Sequence, residues 1–366
     1  MKKQRSKTEH LSASPAVSQA SSSPTAAPPG PRPAPRRNWS DPLGFPIPPG
    51  GEWTNPLGNW SNPLGNWSVP IGLRRGMGYH PDLPDRRDCG WTNLSGFIQQ
   101  TKAAENARVK GLVLTAPAAL PTSFNLGDQS EHPLPPVEDQ GQTNSCTAQA
   151  AAVLVEYLYR WATGTYDHFS RLFIYYNARK LLGWTGDNGA YIRTTFKAMR
   201  LFGVPPEPEW PFDPALLENQ PQPYHYSYAS NFKTMSYARL DGYGDPPAKT
   251  LERLKQTIYA GFPVEFGFPV YSSIQNMQNF VIPVPLNTDK LVGGHAILAV
   301  GYDDTVEYVD DQGAKQKGAI CIQNSWGISW GDHGYGFLPY WYITQGYALD
   351  FWTAYDKRWL NLNEFD

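Results

Sequence analysis

The apolar pattern of this chain changes period partway along, and that change limits its fold more than any other feature. Ala148, Ala152, Val155 and Tyr159 recur at helical spacing, which predicts a helix from Ser145 or Cys146 to about Ala162, closed by Gly164. Ser170 is placed to cap a second helix that ends before Gly183. A third is expected over about 190–202, ending at the run Gly203-Val204-Pro205-Pro206. Further on the spacing becomes two. Val264, Phe266 and Phe268 alternate, as do His295, Ile297 and Ala299, and then Ile320, Ile322 and Asn324. Segments 334–338 and 349–353 also read as strands, and one amphipathic helix over about 248–259 interrupts the series. Helices first and strands second predict an α+β chain of two packed halves with a cleft between them.

The bulk properties narrow the function. The 366 residues include 35 Pro and 33 Gly, so loops are plentiful. Residues 1–37 carry seven Lys/Arg against one Glu, whereas the rest carries 24 against 32. A basic, Ser/Ala/Pro-rich tail on an acidic body reads as a disordered arm, and no basic patch with interleaved aromatics supports nucleic-acid binding. No apolar run approaches membrane-spanning length. The start, MKKQRSKTEHLSASPAVSQ, has positive charge but no apolar stretch of the secretory kind. With only Cys89, Cys146 and Cys321, a disulfide scaffold is excluded, and a reducing, cytoplasmic setting is the expectation.

A short repeat follows the tail. Trp39-Ser40-Asp41-Pro42-Leu43-Gly44 recurs in variant form from Trp53, Trp60 and Trp67, each unit offering an aromatic anchor, a Pro turn and a Gly exit. Units this short bury no core alone. One reading lays Trp39–Gly72 over the main domain; the other makes it a strip for a protein partner. The expected division is a tail over 1–37, the repeat and a pro-segment over 38–115, and an enzyme domain over 116–366. Within that domain, helices occupy about 136–235 and strands about 236–356.

The chemistry concentrates in three places. Cys146 sits in Asp139-Gln140-Gly141-Gln142-Thr143-Asn144-Ser145-Cys146 at a helix start. There the free N–H groups and the helix dipole favour a thiolate, with a pKa below the free value of about 8.5. His295 opens an alternating strand, and Asn324 ends another before Ser325-Trp326-Gly327. Taken singly, these residues have blander readings: a buried Cys, a strand-end His, a turn Asn, a surface Gln140. Together they supply a nucleophile, a base and a group to orient the base. Cys321 has the opposite strand parity to Asn324 and is expected to face the core. No Cys/His set has zinc spacing, so neither metal nor cofactor is expected.

In order and in local context these motifs resemble the papain-like cysteine peptidases, over roughly residues 116–356. The resemblance implies a two-lobed fold, with a helical left lobe and an antiparallel, β-barrel-like right lobe. It implies Cys146 as nucleophile, His295 as acid–base, Asn324 as its orienter, and Gln140 with the Cys146 N–H as the oxyanion hole. Trp326 would shield the His–Asn bond, and Gly189 would offer its backbone to an extended polypeptide substrate. The expected activity is that of a cysteine endopeptidase. A thiol acyl transferase or peptide ligase is the alternative within catalysis, and a silent papain-fold binding protein the alternative outside it. Thr143, Asn144 and Thr147 replace the Cys, Gly and Trp usual in secreted members, which agrees with loss of their disulfide. The family's usual inhibitory signature is not visible in 38–115. That segment is nevertheless expected to cover part of the cleft, with Cys89 or its neighbours near Cys146, and to be trimmed between about 88 and 120.

Overall fold

Each predicted helix forms, and glycines in the left-handed conformation close two of them. The computed structural model describes residues 75–108, 119–128, 133–232 and 235–355; the tail and the Trp39–Gly72 repeat lie outside these. Helix α1 spans Trp91–Arg108 and α2 spans Cys146–Thr163, closed by Gly164 at φ +72°. In α3 (Arg171–Leu182), the Ser170 side chain accepts a bond from Phe173 N, and Gly183 takes the left-handed turn at the other end. Then come α4 (Ile192–Phe202), the short α5 (Pro223–Ala229) and α6 (Pro247–Tyr259).

The strands are β1 (Ser123–Asn125), β2 (Ser236–Arg239), β3 (Val264–Tyr271), β4 (Leu291–Val309), β5 (Lys315–Gln323), β6 (Tyr335–Pro339) and β7 (Leu349–Tyr355). A one-turn helix, α7 (Tyr340–Thr344), joins the last two. The strands make one antiparallel sheet in the order β2-β7-β3-β4-β5-β6, and β1 adds to β4. The expected barrel-like lobe is an open sheet, because β2 and β6 lie at opposite ends of the ladder.

The register brings two distant motifs together. His295 opposes Phe268 of β3, and Leu298 opposes Gln323 of β5. The chain that leaves β5 at Asn324 therefore runs beside the His295 stretch of β4. Helix α2 packs across this part of the sheet with Ala148, Ala151, Ala152 and Leu154 fully buried. Small residues let the helix approach closely, so its first residue, Cys146, comes within reach of β4. Helix α1 covers the far edge. There Phe97 packs against Phe262 and Tyr355, with ring centroids 6.0 and 4.8 Å apart. No helix among the described residues is long and apolar enough to cross a membrane.

Candidate active site

Cys146 is the first residue of α2, as its sequence context predicts. The backbone N–H of Ala296, next to His295, donates to Cys146 Sγ at 3.4 Å. This contact sets the imidazole's strand directly against the thiol. The other side of the ring is fixed too. His295 Nε2 lies 2.7 Å from Asn324 Oδ1, so Nε2 carries the proton and Nδ1 is left to exchange one. Nδ1 is buried without a hydrogen-bond partner. Asn324 Oδ1 also accepts from Ser325 N at 2.8 Å, which holds the amide in that orientation. The Trp326 ring stacks on the imidazole at 4.5 Å and 22°, and Trp330 meets Trp326 edge-on at 5.8 Å. Water is thereby kept from the His–Asn bond, and a low local dielectric strengthens it.

Gln140 is fully buried beside this pair. Its Oε1 accepts from Ser325 Oγ at 2.6 Å, so the amide nitrogen must face the other way. Nε2 donates to Thr143 O at 2.7 Å and to Gly76 O at 3.0 Å. The second acceptor, Gly76, lies 64 positions upstream, within the segment that the sequence reading sets over the cleft.

Residues 75–80 lie along the cleft. Gly76 N bonds Gly141 O, Met77 N bonds Asn144 Oδ1, and Tyr79 N bonds Gly294 O. Gly78 O accepts from Ala190 N at 2.9 Å, and His80 N donates to Ala190 O. The approach is so close that a Cβ on Gly189 would sit 2.0 Å from Gly78 O, and one on Gly78 would sit 1.7 Å from Asn144 O. Only glycines satisfy both. The loop under the segment is braced from below, where Asp187 accepts from Asn144 N and from Tyr175 Oη.

The electrostatics follow from this cover. Cys146 and His295 are both wholly shut off from solvent. Burial pushes the thiol up to about 12, against smaller opposing bonds from Ala296 and Gly78 N–H. Burial likewise lowers His295 to about 4, with the Asn324 bond pulling the other way. The sequence context predicts a depressed thiol pKa; in this closed form it is raised, because desolvation outweighs the helix dipole.

The structure brings Cys146, His295, Asn324 and Gln140 into one site. Trp326 is in it as well, packed on the imidazole rather than lining open space. Gly189 lies against Gly78 O of the covering strand, and the residue that exchanges backbone bonds with that strand is its neighbour Ala190. Cys89 is not over the nucleophile. Its Sγ meets Tyr355 Oη at 3.2 Å, its carbonyl accepts from Arg239 N, and residues 76–79 take the place over Cys146. Cys321 is buried, as its parity predicts, and all three cysteines are free. Asn144 and Ser325 were not singled out from sequence, although both flank motif residues.

Among the described residues, one group of metal-ligand type exists: Glu138, Glu156 and His168. Its donors already face one another, with His168 Nε2 3.5 Å from Glu138 and Nδ1 3.4 Å from Glu156. Arg171 already pairs with Glu138, so the cluster reads as a buried polar network tied to that guanidinium.

Comparison with known proteins agrees with this geometry. Residues 120–340 match the papain family cysteine protease profile. An uncharacterized peptidase C1-like protein of Acanthamoeba polyphaga mimivirus is 31% identical over 313 residues, covering 80% of this chain and 91% of that protein. Cathepsin K of Gallus gallus is 30% identical over 208 residues, 56% of this chain and 54% of its own length. Among solved structures, xylellain, a cysteine protease from Xylella fastidiosa, superposes with a TM-score of 0.58 at 33% identity, covering 77% of this chain and 97% of that one. The chain thus belongs to the papain family of cysteine proteases, hydrolases that cleave polypeptides.

Proposed function

We propose that the chain is a cysteine endopeptidase held latent by its own residues 75–80. In the open form, the Cys146 thiolate adds to the scissile carbonyl. The Gln140 side-chain amide and the Cys146 N–H hold the oxyanion. His295 gives its Nδ1 proton to the leaving amine, and the acyl group remains on sulfur as a thioester. His295 then takes a proton from water, the hydroxide adds to the thioester, and the thiolate departs. Asn324 keeps the ring in the tautomer that these two transfers need.

The observation that carries the latency is the mismatch over the nucleophile. The carbonyl on Gln140 Nε2 belongs to Gly76, whereas the group of the covering strand that bonds towards Cys146 Sγ, beside the Ala296 N–H of β4, is the N–H of Gly78. Nucleophile and oxyanion donor thus address different peptide units, and neither unit is set for attack. Three unpaired cysteines support a reducing setting such as the cytoplasm.

The chemistry is tested in a full chain opened by Gly78→Val. It should hydrolyse denatured protein, and adding Cys146→Ala should abolish the activity. Hydrolysis that survives Cys146→Ala would overturn the reading.

A further inference from the structure

The geometry points to the pocket now filled by Tyr79 as a specificity pocket for a substrate tyrosine, with Asp350 as the residue that reads the phenol hydroxyl. This rests on the peptidase reading above and adds the side chain selected.

The pocket is a slot cut by two glycines. A Cβ on Gly267 would lie 2.0 Å from Cζ of the Tyr79 ring. One on Gly294 would lie 2.4 Å from Tyr79 O and 3.1 Å from its Cδ1. Any larger residue at either position would fill the space that the ring occupies. The backbone at the slot's mouth is the same that holds the covering strand, with Gly294 O accepting from Tyr79 N. A residue there therefore lies in the track of any extended chain in the cleft.

The far end of the slot is polar and built. Tyr79 Oη donates to Asp350 Oδ2 at 2.7 Å, and Asp82 N donates to the same oxygen at 2.6 Å. Asp350 is fully buried, and its other oxygen pairs with Arg239 at 2.8 Å. Its backbone is held at φ +59°, an uncommon conformation for a residue other than glycine, and its N–H donates to Asp241. With Tyr79 and Asp82 in place, burial raises the Asp350 carboxyl to about 7, with Arg239 opposing.

Release of the covering strand removes both donors to Asp350 Oδ2 and the Asp82 carbonyl that Arg239 Nη2 contacts at 3.0 Å, and leaves the Arg239–Asp350 and Arg239–Asp241 pairs. Tyr79 and Asp82 leave together, whereas Arg239 and Asp241 are anchored at the end of β2. The emptied slot then ends in a buried acceptor that has lost both donors to Oδ2. An aliphatic side chain or Phe would leave that acceptor unsatisfied, which is costly in a buried site. Asp241 already pairs with Arg239 at 2.8 Å, so a substrate Arg or Lys would have to lose its hydration in a fully buried slot to reach Asp350 beside that guanidinium. Glu265 does not offset that charge. It lies on the same β3 face as Gly267, and burial pushes its carboxyl well above the ordinary range, which disfavours its charged form. A neutral donor on a flat ring fits both the slot and its floor.

Two experiments on the full chain separate this claim from the peptidase reading. In the first, the Gly78→Val chain digests a denatured peptide library, and the cut sites are aligned. Tyr should be enriched at one fixed position on the acyl side. Replacing that Tyr by Phe or O-methyltyrosine in a fluorogenic peptide should lower kcat/KM at least about 10-fold. Equal or better cleavage with Phe, or a preference for Arg, would overturn the proposal. Asp350→Leu should erase the Tyr-over-Phe ratio; should that variant not fold, the substrate series in the unaltered pocket still decides. The second experiment needs no catalysis. Tyr79→Phe alone should speed iodoacetamide labelling of Cys146 about 10-fold or more, because the plug has lost its hydroxyl contact. An unchanged labelling rate would contradict the pocket. Faster labelling with no peptide hydrolysis would instead contradict the peptidase reading and leave the pocket standing.

Discussion

Gln140 Nε2 donates to the carbonyl of Gly76 at 3.0 Å, so the amide assigned to the oxyanion is occupied by the chain's own backbone. The same amide is fixed from behind by Ser325 Oγ on Oε1. In the chain opened by Gly78→Val, this donor should act chiefly in the transition state. Gln140→Ala should lower kcat about 100- to 1,000-fold and leave KM nearly unchanged. Steady-state kinetics on one peptide checks this, and a wild-type kcat would assign the oxyanion to other groups.

Asn324 acts through the imidazole. Asn324→Ala removes the 2.7 Å bond to His295 Nε2 and leaves a buried N–H without a partner. Loss of about 1–3 kcal/mol there corresponds to a fall in kcat of roughly 5- to 150-fold. The drop should be smaller than for His295→Ala, and the pH profile of kcat should shift because the tautomer is no longer held. Identical profiles for the variant and its parent would argue against the orienting role.

The thiol's response to pH should report the cover. In the closed form Cys146 is pushed up to about 12 by burial. Opening returns it to a helix start beside His295, where a value below about 8.5 is expected. The closed form therefore keeps a proton that the open form releases. Its stability is fully present below the open-form value and is lost as pH rises towards about 12. Iodoacetamide labelling of Cys146 should be slow at neutral pH and rise steeply in alkali. In Gly78→Val the same rise should fall at least about 3 pH units lower. Superimposable profiles would mean that the cover does not control the thiol.

Arg171 tests the scaffold beneath the oxyanion loop. It pairs with Glu138, two residues before Gln140, and with Glu207 at 2.6 Å. Its side chain is about one-eighth exposed, and Glu138 less so. Arg171→Met should destabilise the fold by about 3–5 kcal/mol, since it strands buried carboxylates. Burial raises Glu138 to about 7, outweighing the pull of Arg171. That contribution to stability is present below the ordinary carboxyl value and lost as pH rises through about 7. Part of the Arg171→Met loss should therefore be recovered at acid pH, measurable by urea denaturation.

How much of this could be read from sequence depends on what kind of interaction each part uses. The ends of α2 and α3 were legible because Ser170, Gly164 and Gly183 act through local backbone geometry. The meeting of Cys146, His295 and Asn324 was legible through motif context, although the β4–β5 register that produces it is tertiary. The identity of the covering residues was not. Gly76, Met77, Gly78 and Tyr79 are held by bonds to residues 60 or more positions away, such as Gly141, Asn144, Ala190 and Gly294, and nothing local in the sequence marks those pairings. The thiol's raised pKa depends on that cover and was equally hidden. Asp350 was masked by its place in an alternating strand, where nothing local signals a positive φ. The open sheet differs from the expected barrel because strand pairing at the edges is set by long-range contacts, not by periodicity.

The central claim is that residues 75–80 shut an otherwise competent cysteine peptidase. The most direct measurement compares initial rates on a small fluorogenic peptide for freshly purified wild-type chain and for Gly78→Val. The added side chain would have to occupy space 1.7 Å from Asn144 O, so the strand must lift from the cleft. The account predicts little or no initial activity in the wild type and at least about a 10-fold higher rate in the variant. Equal initial rates, with the wild-type chain still intact at its N-terminal segment, would contradict it.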